Sequence, residues 1–371
     1  MLKQNIYLGR ILGIPISLDF SWFLIFVLLS WTLAVSYYPT EFKDWPGYLY
    51  WLMGSVTALL LFGSVLLHEL GHSFVALRFH LPVKSITLFI FGGVAQISRE
   101  PRSPRAEFGI AIAGPVVSLL LGIFFYLLKP LFAANSPLLA LAEYLSYINI
   151  LLAAFNLIPG FPLDGGRVFR AIVWAISGNM RKATVIAGTV GRIVAFIFIY
   201  IGVMQIFAGK VADGLWIIFI GWFLESAASA QIHQQEIHDL IAHHRVEEAM
   251  NRHFAIIPST AFLQDLINHH IIGEGRRYLI VLKDDEFAGL LTLHRIKEIP
   301  PQDRVSATVD QVMVPMSELK WISPDTEIWE ALQEMDRDGV NQLPVMEGEN
   351  IIGVLSREDV ISFLRKLKET G

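Results

Sequence analysis

Two histidines and a glutamate lie together in LLHELGHSF, residues 66–74, a stretch that is otherwise apolar. His68 and His72 are four residues apart, so on a helix both imidazoles lie on one face and can reach a single metal ion. Glu69 lies beside them, where its carboxylate can take a proton from water. Because ionisable groups are costly in a membrane unless paired or ligated, the motif favours a zinc-dependent hydrolytic site. Hydrogen-bonded structural histidines are the alternative.

A metal ion at this motif needs a third ligand, and the composition limits the choice. The chain has no cysteine, so the ligand must be His, Asp or Glu. Three histidines precede residue 231, and the third, His80, lies past the apolar stretch. The third ligand is therefore expected to be a carboxylate. Besides Glu69, the candidates in this half are Asp19, Glu41, Asp44, Glu100, Glu107, Glu143, Asp164, Asp213 and Glu225.

The elements that position these residues are predicted to be six membrane-spanning helices. The chain is 54% hydrophobic and 17% charged, a composition typical of a membrane protein. Six apolar stretches approach the roughly 20 residues that a crossing helix needs. They are residues 18–37, 49–77, 107–128, 138–158, 183–207 and 213–229. The first of these is interpreted as a retained span, because it is too long for a signal peptide.

The distribution of basic residues predicts the orientation. Arginine and lysine are concentrated at the amino terminus and in segments 78–106 and 159–182, which fall on one side of the membrane. By the positive-inside rule that side is cytoplasmic, so both termini are expected in the cytoplasm. The expected location is a prokaryotic plasma (inner) membrane, crossed several times.

This topology favours Asp164 as the third ligand. It lies in FNLIPGFPLDGGRVF, just past the fourth span and on the same side as the end of the motif helix. The prolines and glycines of this segment are expected to keep the backbone non-helical around Asp164, so that its carboxylate can point inward. Glu107 is the second candidate, with a helix N-terminal charge as its alternative role.

Nucleic acid is excluded as a partner. The net charge is −5, and no cluster of Lys and Arg is interleaved with aromatic residues in the way that a nucleic-acid surface requires.

The last third of the chain is predicted to be a soluble α/β module. From about residue 231 the sequence becomes charged and rich in histidine, and 231–244 is interpreted as a linker. VEEAM at 246–250 matches VDQVM at 309–313, and YLIVLKDDEFAGLLTLHRI at 278–296 matches QLPVMEGENIIGVLSREDV at 342–360. The offset of about 63 residues indicates two copies of one unit. The predicted domains are 1–230, 231–244, 245–305 and 306–371.

This repeat resembles a tandem pair of CBS domains over about 245–370. Its sharpest part is GVLSRED at 353–359, where the family pattern has a Ser or Thr and an Asp that contact phosphate and ribose. The resemblance implies Ser356 and Asp359 as nucleotide contacts, with ATP, ADP or AMP as ligand. In the first copy Thr292 is present, but Arg295 replaces the Asp. The resemblance also implies a homodimer, and a purely structural pair is the alternative.

The membrane half resembles the site-2 protease family of intramembrane zinc metalloproteases. HELGH is followed in the family's order by FGGVAQ at 91–96, AGPVVS at 113–118 and NLIPGFPLDGG at 156–166. The resemblance implies one Zn²⁺ ion held by His68, His72 and Asp164, with Glu69 as catalytic base. It also implies Asn156 as a polar partner for the water or the scissile carbonyl.

Taken with the CBS pair, this resemblance predicts both fold class and function. The fold is a polytopic α-helical membrane protein with a C-terminal cytoplasmic α/β tandem CBS module. The function is regulated intramembrane proteolysis, in which transmembrane or membrane-proximal segments of protein substrates are cleaved. Control by nucleotide at the CBS pair is part of this hypothesis. The substrate helix must unwind locally, so Gly, Pro or Asn near the cut is expected to help.

Two further segments of the membrane half are interpreted from local pattern. Residues 85–98 alternate as β-structure around a Gly-Gly break, which predicts a hairpin. Its edge, at Gly92, Gly93, Val94 and Ala95, is expected to pair with an extended substrate backbone; a hairpin that only packs on helix ends is the alternative. Gly114 and Pro115 in the third span are attributed to close helix packing and a kink.

Two other functions compete with proteolysis. A CBS-gated transporter or channel would also place carboxylates in the membrane, although a conduit has no need of HExxH combined with LDGG. A proteolytically inert relative that only binds membrane segments is disfavoured, because each ligand and the base are present.

Overall fold

The computed structural model describes residues 5–90, 92–97, 100–284, 286–348 and 350–370. The chain divides into two compact units, Met1–Gln235 and Glu236–Gly371. The apolar stretches belong to the first unit, and the two sequence repeats belong to the second.

Helices dominate the first unit. In chain order the elements that begin in it are β1 (Ile6–Ile11), β2 (Ile14–Leu18), α1 (Ser21–Thr32), α2 (Tyr38–Glu41), α3 (Gly47–Arg78), β3 (Val83–Phe89), β4 (Gly92–Ile97), α4 (Pro104–Leu128), α5 (Pro137–Asn156), α6 (Asp164–Ser177), α7 (Met180–Phe207) and α8 (Val211–Ile241). A π-helical stretch, Leu33–Tyr37, joins α1 to α2, and a 3-10 turn, Lys129–Leu131, extends α4.

The predicted membrane architecture is confirmed. Within the described residues, six helical segments are long and apolar enough to cross a membrane. They are Ser21–Glu41, Gly47–Arg78, Pro104–Leu131, Pro137–Asn156, Met180–Phe207 and Val211–Ile241. Large apolar side chains such as Leu24 and Leu120 are exposed, whereas the polar side chains of Thr57, Ser118 and Asn149 are fully buried. This distribution suits a bilayer, where polar groups face the protein interior.

The expectation of non-helical backbone around Asp164 is correct for residues 157–163, which include Pro159 and Pro162, and wrong for Gly165 and Gly166. Asp164 is the first residue of α6, and Gly165 and Gly166 lie in its first turn. A Cβ atom at either glycine would collide with the backbone of the preceding loop, at Leu157–Ile158 or at Gly160. The glycines therefore allow α6 to start tightly against that loop. Their low helix propensity is outweighed by this packing.

A four-stranded sheet, in the order β1–β2–β3–β4, accompanies the helices. The predicted hairpin is confirmed, because β3 and β4 pair antiparallel with Leu88 opposite Gly93. β1 and β2 were not predicted; they form a second antiparallel hairpin, and β2 runs parallel to β3 with Ile16 beside Ile86. In the described part of the chain, β4 has a neighbouring strand on one side only.

The second unit has the α/β composition predicted for the repeats. Its elements are α9 (Val246–Ala249), β5 (Ile256–Pro258), α10 (Leu263–Leu266), β6 (Tyr278–Lys283), β7 (Glu286–Thr292), α11 (Leu293–Glu298), α12 (Val309–Val312), β8 (Val314–Pro315), α13 (Ile328–Asp338), β9 (Gln342–Glu347), β10 (Asn350–Ser356) and α14 (Arg357–Thr370). A π-helical stretch, Ile267–Gly273, follows α10. The corresponding hairpins β6–β7 and β9–β10 come from the two copies.

The two repeats exchange their leading segments. Val246 and Met250, which begin the first copy, pack in a core with residues of the second copy such as Leu343. Val309, which begins the second copy, packs in a core with residues of the first copy such as Leu279. Each hydrophobic core therefore contains residues from both copies. The predicted division at residues 305 and 306 describes the sequence repeat, and as a domain boundary it stays a prediction.

Candidate metal centre

Helix α3 presents His68 and His72 on its buried face. The helix runs unbroken for 32 residues, so the four-residue spacing brings the two rings together, with their centroids 4.8 Å apart. Their Nε2 atoms are 3.2 Å apart. His68 is 4% exposed and His72 is 5% exposed. The local spacing thus places two imidazole nitrogens at one buried point.

Asp164 brings a third donor atom to this point. Its Oδ2 lies 3.1 Å from Nε2 of His68 and 3.1 Å from Nε2 of His72. Among the described residues these three form a group whose donor atoms are close enough to hold one metal ion. Asp164 therefore adds a carboxylate oxygen to the two imidazole nitrogens.

Helix α4 fixes the orientation of both imidazoles. Nδ1 of His72 donates a hydrogen bond to the carbonyl oxygen of Ile110, at 2.7 Å. A carbonyl only accepts, so Nδ1 carries the hydrogen and a neutral His72 has a free lone pair on Nε2. Nδ1 of His68 lies 2.8 Å from Oγ of Ser118. Such partners on the far nitrogen are typical of histidines that bind metals.

Gly114 of α4 provides the space for the two rings. A Cβ atom at this position would lie 2.6 Å from Nε2 of His68 and still closer to Nε2 of His72. The attribution of Gly114 to helix packing alone is therefore wrong, because what packs against it is the pair of imidazoles. Nothing in the local sequence AGPVVS indicates this contact, since the spacing within one helix does not reveal what the next helix presents.

The three donors fit a zinc ion. Two imidazole nitrogens and a carboxylate oxygen lie 3.1–3.2 Å from one another, and these are the donor types that zinc takes from His and Asp. Tetrahedral zinc with bonds of about 2.0–2.2 Å keeps its ligand atoms about 3.3–3.6 Å apart. Three protein ligands from His and Asp leave a fourth position open, as catalytic zinc sites do.

Glu69, adjacent to the first ligand, is held against β4. Its Oε2 accepts a hydrogen bond from the backbone amide of Ala95, at 3.2 Å. Gly93 allows this approach, because a Cβ atom there would lie 2.5 Å from Cγ of Glu69. The predicted edge residues Gly92, Gly93, Val94 and Ala95 are therefore part of a strand that touches the predicted base.

The second acidic candidate, Glu107, lies outside the group of three donors. Glu107 is fully buried and pairs with Arg170 of α6, so it is not a member of the ligand group. Asn156 is the last residue of α5 and is half-buried. Its role beside the water or the scissile carbonyl stays a prediction.

In the second unit, Ser356 and Asp359 bond to each other at the start of α14. The Ser356 amide donates to Oδ2 of Asp359 at 2.9 Å, and the Ser356 hydroxyl donates to the same oxygen at 2.5 Å. The Asp359 amide in turn donates to the Ser356 hydroxyl at 3.2 Å. This reciprocal arrangement is a helix cap. The two predicted nucleotide contacts thus also have a structural role.

A cavity of about 400 Å³ opens beside Ser356. It is lined by basic residues of both copies, among them Arg277, Lys297 and Arg357, and by the aromatic residue Tyr278. In the first copy Thr292 caps α11 by accepting from the Arg295 amide at 3.3 Å. There the Arg295 side chain contacts Glu298 of its own helix.

Comparison with known proteins identifies the two halves. The model of peptidase family M50 matches residues 56–132 and 129–201, and that of the CBS domain matches residues 309–366. A Synechocystis protein with the provisional name zinc metalloprotease sll0528 is 36% identical over 368 residues, which cover 98% of this chain and 96% of the relative. Zinc metalloprotease MJ0392 of Methanocaldococcus jannaschii is 28% identical over 364 residues, covering 97% and 96%.

A solved structure of the site-2 protease from Methanocaldococcus jannaschii is 31% identical and covers 62% of this chain and 95% of that one, with a TM-score of 0.43. The full-length relatives and the family model agree. A buried three-ligand centre among membrane helices is what a membrane-embedded metalloprotease requires. The chain belongs to peptidase family M50, the site-2 protease family of zinc metalloproteases, and it carries CBS sequence at its carboxyl end.

Proposed function

We propose that this protein is an intramembrane zinc endopeptidase that cleaves transmembrane or membrane-proximal segments of protein substrates. The observation that carries the proposal is the convergence of His68, His72 and Asp164 on one point, with Glu69 beside them. All but Asp164 belong to a helix long and apolar enough to cross a membrane. A transporter has no need of this combination of ligands and base.

In this proposal each side chain has one task. His68, His72 and Asp164 would hold a zinc ion, which would supply Lewis acidity to polarise the scissile carbonyl and to lower the pKa of a water molecule towards neutrality. Glu69 takes that proton on its carboxylate and passes it to the leaving amine. Ser118 and the Ile110 carbonyl keep the imidazoles in the correct tautomer and orientation. Asn156 donates to the scissile carbonyl or holds the water.

The depth of the centre limits the substrate. α3 ends at Arg78, so a rise of 1.5 Å per residue puts His72 about 9 Å and His68 about 15 Å from that end. A peptide bond at this depth is shielded by its own helical turn until the helix unwinds. We therefore expect faster cleavage of substrate helices with Gly, Pro or Asn near the cut. Equal rates for an uninterrupted leucine helix would contradict this.

The edge of β4 is the proposed site for the unwound substrate. An extended segment can add to the side of β4 that lacks a neighbouring strand, through backbone hydrogen bonds. The Ala95 amide donates a hydrogen bond to Glu69, so this edge of β4 lies beside the proposed base. The change Ala95→Pro removes this amide, so cleavage should be lost while zinc content is unchanged. Normal cleavage by this variant would dismiss strand addition.

Nucleotide control by the second unit is a separate part of the proposal. Basic residues and Tyr278 around the cavity beside Ser356 suit the phosphate and base of ATP, ADP or AMP. We place both termini and the CBS pair on the cytoplasmic side of a prokaryotic inner membrane, because the positive-inside rule puts the loops rich in Lys and Arg on that side. Reporter fusions at each terminus test the orientation, and light scattering of the purified protein tests the proposed homodimer.

The deciding experiment compares the wild type with Glu69→Gln on a candidate transmembrane substrate, with zinc measured in both. The variant should retain zinc because Glu69 is not a ligand, and its cleavage rate should fall by at least about 100-fold. The change Glu143→Gln, at a carboxylate that pairs with Lys129 instead, is the matched control. A solute-flux defect in Glu69→Gln without any loss of cleavage would favour a transporter.

A further inference from the structure

One stripe of α4 contacts both histidine ligands of the proposed metal centre. Glu107, Ile110, Gly114 and Ser118 are separated by three, four and four residues, so they lie on one face of the helix. Ile110 accepts from His72, Ser118 contacts His68, and Gly114 makes room for both rings. Two of the three ligands are therefore oriented directly by this stripe. Its first member, Glu107, pairs with Arg170 of α6.

Glu107 forms a buried ion pair with Arg170. Nε of Arg170 donates to Oε1 of Glu107 at 2.6 Å, and a second guanidinium nitrogen contacts the same oxygen. Glu107 is fully buried and Arg170 is 4% exposed. Such a pair contributes little net stability, because both charges lose their hydration. The second oxygen of Glu107 even lacks a hydrogen-bond partner among the described residues, so stability alone is a poor explanation for the pair.

Arg170 connects the chain segment before Asp164 to the helix after it. Arg170 belongs to α6, whose first residue is Asp164. Its guanidinium also lies over the ring of Phe161, 5.3 Å from the ring centroid, and Phe161 belongs to the loop that precedes Asp164. The guanidinium thus joins the helix after Asp164, the loop before it and the stripe of α4. A planar guanidinium fixes direction as well as distance.

We propose that Glu107 and Arg170 are positioning residues that set the place of Asp164 relative to the two imidazoles. The stripe of α4 then orients all three ligands, two by direct contact and the third through Arg170 and α6. This inference rests on the proposed metal centre. In this proposal the Glu107 carboxylate does not bind the metal, and it fixes the position of the Asp164 carboxylate, which does.

The test measures zinc affinity of the purified full-length protein by competition with a chromogenic chelator. The Co²⁺-substituted absorption spectrum gives a second, activity-independent readout of the ligand geometry. Glu107→Gln and Arg170→Lys should each weaken zinc binding by about 10–100-fold, as loss of an outer partner of a metal ligand does, and should change the intensity of the Co²⁺ bands. Wild-type affinity and spectrum in both variants would overturn the proposal.

A double variant separates positioning from stability. Glu107→Met combined with Arg170→Met replaces the pair by unbranched apolar side chains, a type of replacement that is often neutral or stabilising for folding. We expect this variant to melt near the wild-type temperature but to keep the weakened zinc binding. If it recovers zinc affinity together with stability, the pair only stabilises the fold and the proposal fails. The double variant distinguishes positioning from stabilisation even if a single change prevents folding.

The matched control is Glu225→Gln. Glu225 of α8 pairs with Arg192 of α7 at 3.3 Å, so the change also removes a carboxylate from an arginine in the same unit. Zinc affinity should stay at the wild-type value, and a loss equal to that of Glu107→Gln would count against a specific role for Glu107. If the wild-type protein itself binds no zinc, the metal centre is refuted, which is a different result from unchanged binding in the variants.

Discussion

Oγ of Ser118 lies 2.8 Å from Nδ1 of His68, although the two residues are 50 positions apart in the chain. The contact joins the third membrane-spanning segment to the second at the metal centre. It makes a small hydroxyl in an apolar helix part of the machinery that holds a metal ligand.

Ser118→Ala should therefore weaken zinc binding. The change leaves Nδ1 of His68 without its partner in a fully buried place, and we expect a loss of about 10-fold or more in zinc affinity. Chelator competition on the purified protein measures it. The matched control is Ser146→Ala, because the Ser146 hydroxyl donates to the Gly122 carbonyl at 2.9 Å, away from the ligands. Equal affinities in the two variants would contradict a specific role for Ser118.

Gly114→Ala should remove the metal centre while leaving the fold. The added Cβ atom would displace both imidazole nitrogens from the point they share, so we expect zinc content and cleavage to be lost together. Gly122→Ala is the control: it crowds Ile150 of α5, with a Cβ contact at 2.6 Å, and touches no ligand. Stoichiometric zinc in Gly114→Ala would contradict this prediction, because the two rings would then have to accommodate the added Cβ atom without losing the metal.

Gly93→Ala should uncouple metal binding from catalysis. Its Cβ atom would push against Cγ of Glu69, which displaces the base but none of the ligands. We expect full zinc content and a cleavage rate reduced by at least about 10-fold. Gly63→Ala, in the same helix as Glu69 with open space around the added atom, should cleave at the normal rate. A normal rate in Gly93→Ala would mean that Glu69 can act from another position.

Ser356→Ala tests the CBS pair. Because the hydroxyl caps α14, its loss should lower the stability of the second unit by about 1 kcal/mol. If the hydroxyl also contacts phosphate, the affinity for ATP, ADP or AMP should fall as well, which calorimetry on the full-length protein measures. Ser306→Ala, at an exposed turn hydroxyl, is the control. If calorimetry detects no binding of ATP, ADP or AMP to the wild-type protein, Ser356 has the capping role alone.

The sequence was most informative where chemistry is set by local spacing. The HExxH motif and the six apolar stretches each depend on residues within one helix, so their geometry follows from helical repeat and length alone. Asp164 is predicted because the membrane half has no cysteine and few histidines, and because the predicted topology puts it on the same side as the end of the motif helix. Glu107 is the second candidate, but no sequence pattern predicts its partner Arg170.

What the sequence could not provide are contacts between distant elements. Gly165 and Gly166 suggested a broken backbone, whereas they let α6 start against the preceding loop. The parallel pairing of β2 with β3 joins residues about 70 positions apart, so no local pattern predicts it. The functions of Gly114 and Arg170 depend on which helix lies opposite, and no pattern within either helix reports that.

The exchange of Val246 and Val309 between the two cores of the second unit has a practical consequence. A chain cut between the repeats, at about residue 305, leaves each piece with a hydrophobic core that lacks its leading segment. We therefore expect that neither half of the CBS pair folds independently and that the pair denatures in one cooperative transition. A substitution that disturbs the core of one repeat should therefore also destabilise the other repeat.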